Sequence, residues 1–223
     1  MPLNKQTGNM YDFVTHTWNP IKGRCSHDCS YCYMDRFWKM MPDDTLRLDE
    51  KELKTKLGKD KFIFVGSSTD MWANDIPDDW ILSVLEQCSN SDNKYLLQSK
   101  NPARFLKFIK YLPKQTILGT TIETNRNYFS SKAPTAKYRA YALNNLFGYT
   151  FQRMITIEPI LDFDLNAFIA LIKLAKPYWV NIGADSGRHN LPEPSYAKVK
   201  KLITELSKFT EVRKKRNLER LMK

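Results

Sequence analysis

Short runs of β-branched and aromatic residues alternate along this chain with longer stretches whose apolar positions recur every three or four residues. The short runs, at 11–15, 61–66, 94–98, 116–122, 153–157 and 178–183, have the length and composition of strands. The longer stretches open on helix-start signals: Pro77 followed by Asp78 and Asp79, Asn101 followed by Pro102, Pro134 with Thr135, and Asp164 ahead of Leu165. They predict helices over 77–89, 102–111, 134–146 and 165–175, a shorter one within 49–57 and a last one near 195–208. Ile81, Val84, Leu85 and Cys88 show the helical spacing, and place Cys88 in the core as a buried thiol. Strand followed by helix, about six times over, implies a parallel sheet with right-handed crossovers. No low-complexity stretch or Gly/Ser linker interrupts residues 1–223, so one domain is expected, ending in a basic helix and tail from about 195.

Polar residues gather where the strands end. Ser67-Ser68-Thr69-Asp70, Ser99-Lys100-Asn101, Glu123-Thr124-Asn125, Glu158 with Asp162, and Asp185-Ser186 all follow apolar runs. In parallel α/β folds that edge is where loops converge and ligands bind. Two plainer roles compete: loops are polar because they are surface segments, and strand-end carboxylates can cap the following helix.

Composition narrows the class. Apolar residues make up 42% of the chain and aromatic ones 13%, enough for a sizeable core. No apolar run follows the first lysine and no stretch nears the ~18 apolar residues of a membrane span, so a soluble, cytoplasmic protein without a membrane partner is expected. Residues 198–223 hold ten Lys/Arg against three Glu, so +7 of the +11 net charge lies there, a footprint suited to nucleic acid. Tyr33, Phe37, Trp38, Trp72, Tyr128 and Phe129, near the strand-end loops, are candidates to stack on bases.

Three of the four cysteines crowd into eight residues, as Cys25-x3-Cys29-x2-Cys32, a clustering that suits a metal centre in a reducing compartment. Soft thiolates select zinc or iron–sulfur clusters. Zinc would need a fourth ligand, for which His16, His27 and His189 are available. Cys29 and Cys32 alone could form a redox pair. A cubane normally takes four thiolates, so three would leave one iron open.

The motif resembles the signature of the radical S-adenosylmethionine superfamily, in which an aromatic residue precedes the third cysteine, the place Tyr31 fills. The spacing is similar to that of the spore photoproduct lyases, which repair DNA. The Thr-Trp-Asn-Pro lead-in and the Ile-Glu-Thr-Asn and Ile-Glu-Pro strand ends look most like a phage-associated group of radical-SAM-like proteins of unknown function. The resemblance implies an open (β/α)6 partial TIM barrel carrying a [4Fe–4S] cluster on Cys25, Cys29 and Cys32. It also implies S-adenosylmethionine as cosubstrate and an external flavodoxin- or ferredoxin-like reductant. The cosubstrate would be cleaved to a 5′-deoxyadenosyl radical that takes hydrogen from a substrate.

By the same likeness Gly66-Ser67-Ser68-Thr69-Asp70 approximates the segment that meets the methionine amino group, and Glu123 stands where the family often binds ribose. Ile182-Gly183-Ala184-Asp185 resembles the adenine-contacting strand. Tyr31, Ser67, Ser68, Asp70, Lys100, Glu123, Glu158, Gly183 and Asp185 are therefore the expected cosubstrate residues. Lys100 could pair with the cosubstrate carboxylate or face solvent. A nucleic-acid base or nucleotide is the expected substrate. The alternatives are a peptide or small metabolite, and a non-catalytic, zinc-stabilised nucleic-acid-binding protein.

Overall fold

The structure, a computed structural model, describes residues 3–6, 8–40, 43–128 and 131–223. Its strands are β1 (Asn4–Lys5), β2 (His16–Trp18), β3 (Ile21–Lys22), β4 (Arg47–Leu48), β5 (Phe62–Val65), β6 (Lys94–Ser99), β7 (Thr116–Thr121), β8 (Gln152–Ile157), β9 (Trp179–Ile182) and β10 (Glu211–Lys214). The helices are α1 (Asp35–Trp38), α2 (Glu50–Leu53), α3 (Asp78–Ser89), α4 (Arg104–Lys107), α5 (Ala136–Asn144), α6 (Leu165–Ala175) and α7 (Tyr196–Leu206), with 3-10 turns at Ile109–Tyr111 and Arg216–Leu221. One sheet runs in the order β1-β2-β5-β6-β7-β8-β9-β10; all neighbours pair in parallel except β1 with β2. The mostly parallel α/β sheet agrees with the alternation, and its open partial-barrel form with the resemblance. β3 and β4 form a separate small ladder beside it.

Two apolar clusters lie on opposite faces of the sheet. The larger packs Tyr95, Leu97, Leu118, Ile155, Ile157, Val180 and Ile182 against the helices. The smaller fills the concave side with Phe64, Leu96, Ile117, Met154 and Trp179 under Tyr11 and Val14. Because successive strand residues point to opposite faces, continuing the inner set by twos gives Gln98 and Lys100, Thr121 and Glu123, Thr156 and Glu158, Asn181 and Gly183. The lumen thus passes from an apolar floor, through a layer of amides and hydroxyls, to a charged rim at the C-terminal edge.

Three sequence expectations are corrected. Residues 11–15 are not a strand: the parallel ladder begins at His16 of β2, and Tyr11 and Val14 instead bury their side chains in the lumen as its floor. Their aromatic, β-branched composition reflects that burial. The helix expected over 102–111 breaks into α4 and a 3-10 turn, with Phe105 and Phe108 both set edge-on to Trp72, an i,i+3 pairing that the tighter turn favours. The basic end is not a helical extension: after α7 the chain returns as β10, paired along β9, and closes with a 3-10 turn.

Candidate functional site

The cysteine loop leaves the sheet after β2 and crosses the C-terminal edge. Its base is fixed by β3 and β4, with Gly23 where a Cβ would stand 2.4 Å from the Thr45 carbonyl oxygen. At φ 106°, Gly23 also has a backbone that L side chains avoid. Cys25, Cys29 and Cys32, all free thiols, line one cavity with Arg24, His27, Asp28, Asp35 and Trp38. Among the described residues, no three His, Cys, Asp or Glu side chains are placed as they would be around a single metal ion. Burial pushes the Cys25 thiol up to about 12, helped by the Asp70 charge, and shifts Cys29 the same way.

Two buried carboxylates clamp this loop to the sheet. Asp70 accepts from His27 Nε2 at 2.9 Å, Ser99 Oγ at 2.9 Å and the Lys100 backbone N–H at 2.8 Å, while its other oxygen accepts from Trp72 N–H. Burial alone would raise its pKa, but these donors hold it below the usual carboxylate value. Glu123, 3% exposed, accepts from Arg139 at 2.8 and 3.2 Å, from Lys100 Nζ at 2.6 Å and from the Tyr31 hydroxyl at 2.5 Å. Here too burial opposes ionisation, and the Arg139 and Lys100 charges overcome it, keeping the carboxyl well below its ordinary range. The reciprocal effect on Lys100 is an upward shift against its own desolvation. The two cations on Glu123 are balanced by Glu123 and the neighbouring Asp70 carboxylate together.

The expected cosubstrate residues therefore fall into distinct settings. Tyr31, Lys100 and Glu123 form one buried cluster, so Lys100 does not face solvent and Glu123 is not a helix cap. Ser67 Oγ and Ser68 N–H both bond Asn19 Oδ1, at 3.1 and 3.0 Å, which joins the Thr-Trp-Asn-Pro lead-in to the end of β5. Glu158 follows β8, the strand paired with β7, but belongs to a separate cluster, accepting from Asn9 Nδ2 at 2.8 Å, Asn217 Nδ2 at 2.7 Å and Lys215 Nζ at 2.5 Å. Gly183 faces it: a Cβ there would stand 2.6 Å from Glu158 Oε1. Asp185 turns back on its own loop, accepting from Gly187 N–H at 3.0 Å and from His189.

Sequence reasoning missed Asn9, Gln98, Arg139, Lys215 and Asn217. Gln98 was within reach, two residues before Lys100 on the same strand. Of the aromatic candidates, Trp72 is fully buried in the main core and Trp38 is 8% exposed, so neither is presented to bases, whereas Tyr33 and Phe37 are exposed. Phe129 lies outside the described residues. A cavity of about 920 Å³ opens at the opposite sheet edge between residues 88–93 and 110–115, and contains none of these groups.

A family model described as "Protein of unknown function (DUF5131)" matches residues 9–200. The chain belongs to this family. That span takes in the cysteine loop and the strand-end carboxylates Asp70, Glu123, Glu158 and Asp185, and ends within α7, before β10. No curated protein matches the sequence. Among solved structures, a spore photoproduct lyase variant with bound AdoMet and dinucleoside spore photoproduct superposes with a TM-score of 0.61 at 11% identity, over 93% of this chain and 66% of that one. The lyase complexed with dinucleoside spore photoproduct gives 0.60 at 11%, over 92% and 64%. The chain thus spans just under two thirds of the lyase's length, and at this identity what is shared is the fold. No helix among the described residues is long and apolar enough to cross a membrane.

Proposed function

We propose that this chain is a radical S-adenosylmethionine enzyme in which Cys25, Cys29 and Cys32 hold a [4Fe–4S] cluster with one iron open to the cosubstrate. The observation that carries the reading is that these three free thiols line a single cavity, over the charged rim of an open parallel barrel. The donor set fits: thiolates are the cluster's ligands, and a cubane spreads them over separate irons rather than around one ion. The fold shared with an AdoMet-bound lyase supports the same assignment, and so does the likeness to phage-associated radical-SAM-like proteins. When bound and reduced by an external flavodoxin- or ferredoxin-like donor, the cluster supplies the electron that opens the sulfonium of S-adenosylmethionine.

The remaining work falls to the protein. Asp70 through His27, and Glu123 through Tyr31, hold the loop in place before anything binds, so little order has to be gained on loading. Tyr11, buried with its hydroxyl on Gln98 and Thr156 at 2.7 Å, closes the lumen below the site and excludes water from it. The Ser67–Asp70 turn lies beside the loop for the methionine end. Glu158 and Gly183, at the ends of β8 and β9, with the loop from Asp185, would receive the nucleoside.

The test is anaerobic reconstitution with iron and sulfide, followed by reduction in the presence of S-adenosylmethionine. A brown protein that forms 5′-deoxyadenosine, and loses both properties when the three cysteines are replaced by alanine, is the expected result. A colourless protein with one tightly bound zinc would overturn the assignment in favour of a structural metal site.

A further inference from the structure

On the far side of the molecule from the cysteine loop, aromatic rings that ought to be buried are exposed. Phe147 and Tyr149 follow α5 and are 60% and 45% exposed; Tyr178, just before β9, is 53% exposed. On α5 itself, Arg139, Ala140, Ala142 and Leu143 face the core, yet Tyr138 and Tyr141 stand outward on the opposite side. Exposed rings grouped in this way, with Phe147 and Tyr178 joined through Arg153, mark an interaction site.

Cations are interleaved with these rings. Lys176 Nζ sits 3.9 Å from the Phe147 ring centroid, and the Arg153 guanidinium lies between Phe147 and Tyr178, 5.5 and 5.4 Å from their centroids. Arg153 is held there by the carbonyls of Leu146, Phe151 and Lys176. The two segments that build the surface, 131–157 and 165–184, contain no Asp or Glu. The nearest carboxylate on the adjoining strand, Glu211, is taken by Arg213.

We propose that this face binds single-stranded nucleic acid, with bases stacked on Phe147, Tyr149 and Tyr178 and phosphates drawn to Lys176. Rings interleaved with cations on an acid-free surface match a polyanion whose bases are free to stack; a duplex offers only its phosphates. From this face α5, nine residues and so about 13 Å long, leads back towards the cysteine loop, where Lys132 pairs with Asp28. Such a surface draws less on the basic tail, five of whose ten Lys/Arg are ion-paired, with Asp162, Glu205, Glu211, Glu158 and Glu193. That the bound strand is also the substrate rests on the enzyme reading above; the binding does not.

Fluorescence anisotropy of the full-length protein with a labelled single-stranded oligodeoxynucleotide, an oligoribonucleotide and a duplex, over a salt series, tests this. Single strands are expected to bind more tightly than the duplex. Phe147→Ala and Tyr178→Ala should each weaken binding roughly 5- to 150-fold, the effect of losing one stacked base. Phe147→Leu, which keeps the apolar bulk and removes the ring, should weaken it too. Lys176→Gln should flatten the log–log salt slope by about 0.7, and Lys214→Ala with Arg216→Ala should change little. Absence of binding at low salt, equal affinity for duplex, or full affinity in the Phe147→Ala, Tyr178→Ala double variant would each overturn the proposal and leave a protein partner as occupant. Repeating the titration on the variant lacking Cys25, Cys29 and Cys32 separates the two readings: binding should persist there, and binding without any cleavage of S-adenosylmethionine by the native chain would sink the enzyme assignment alone.

Discussion

Replacing Glu123 by glutamine tests whether one carboxylate is the counter-ion for the whole charge cluster under the cysteine loop. The substitution keeps the shape and removes the charge. Arg139 and Lys100, with side chains 6% and 15% exposed, then stay buried with no anion against them. Removing one partner of a buried ion pair costs about 3–5 kcal/mol, because the remaining charge cannot be rehydrated. For a chain of this size each kcal/mol shifts Tm by about 2–4 °C, so a fall of roughly 10 °C is expected in the cluster-free protein followed by circular dichroism. Removing a cation as well should repair part of the damage, so Lys100→Met in the Glu123→Gln background should be more stable than Glu123→Gln alone.

The pH dependence has a definite sign. The folded pKa of Glu123 lies well below its unfolded value of about 4.3. Its contribution is therefore fully present above about pH 5 and is lost as pH falls from there through the folded value. The stability gap between native protein and variant should be constant at neutral pH and narrow in acid. A loss below about 1 kcal/mol, or strict additivity of the Lys100 and Glu123 substitutions, would refute the assignment of Glu123 as counter-ion.

Other outcomes follow from the same geometry. Alanine at Cys25, Cys29 or Cys32 should abolish iron loading, whereas Cys88→Ala, in the fully buried helix face, should load normally and lose about 1 kcal/mol or somewhat more in denaturant unfolding. Gly183→Ala drives a Cβ to 2.6 Å from Glu158 Oε1 and 2.9 Å from Asn217 Oδ1; calorimetry should show weakened S-adenosylmethionine binding with iron content unchanged. Truncation after Thr210 removes β10, uncovering Trp179 and stripping Lys215 and Asn217 from Glu158, and should give an insoluble or markedly less thermostable chain. A truncated protein that melts with the full-length chain would show that β10 adds nothing to the sheet.

The strands β6, β7, β8 and β9 were legible in the sequence because each is a compact apolar run bounded by turn residues, and burial on both faces leaves that composition no other home. The cysteine trio was legible from spacing alone, and the strand-end carboxylates from their place after each run. Which groups answer those carboxylates was not. Arg139 sits at a helix position whose neighbours Ala140 and Leu143 are buried, so its presence on an apolar face was the one local sign that it had a partner, and nothing local said the partner was Glu123. Lys215 counted only as part of a basic tail suited to nucleic acid, and Asn217 carried no signal; they reach Glu158, more than fifty residues away in sequence, only because β10 pairs along β9 and returns the chain to the lumen. Residues 11–15 carry strand composition for the sake of the floor they form. Periodicity records how deeply a residue is buried and on which side of its own element. Which charge it meets there depends on the order of strands in the sheet, and that order is a property of contacts distant along the chain.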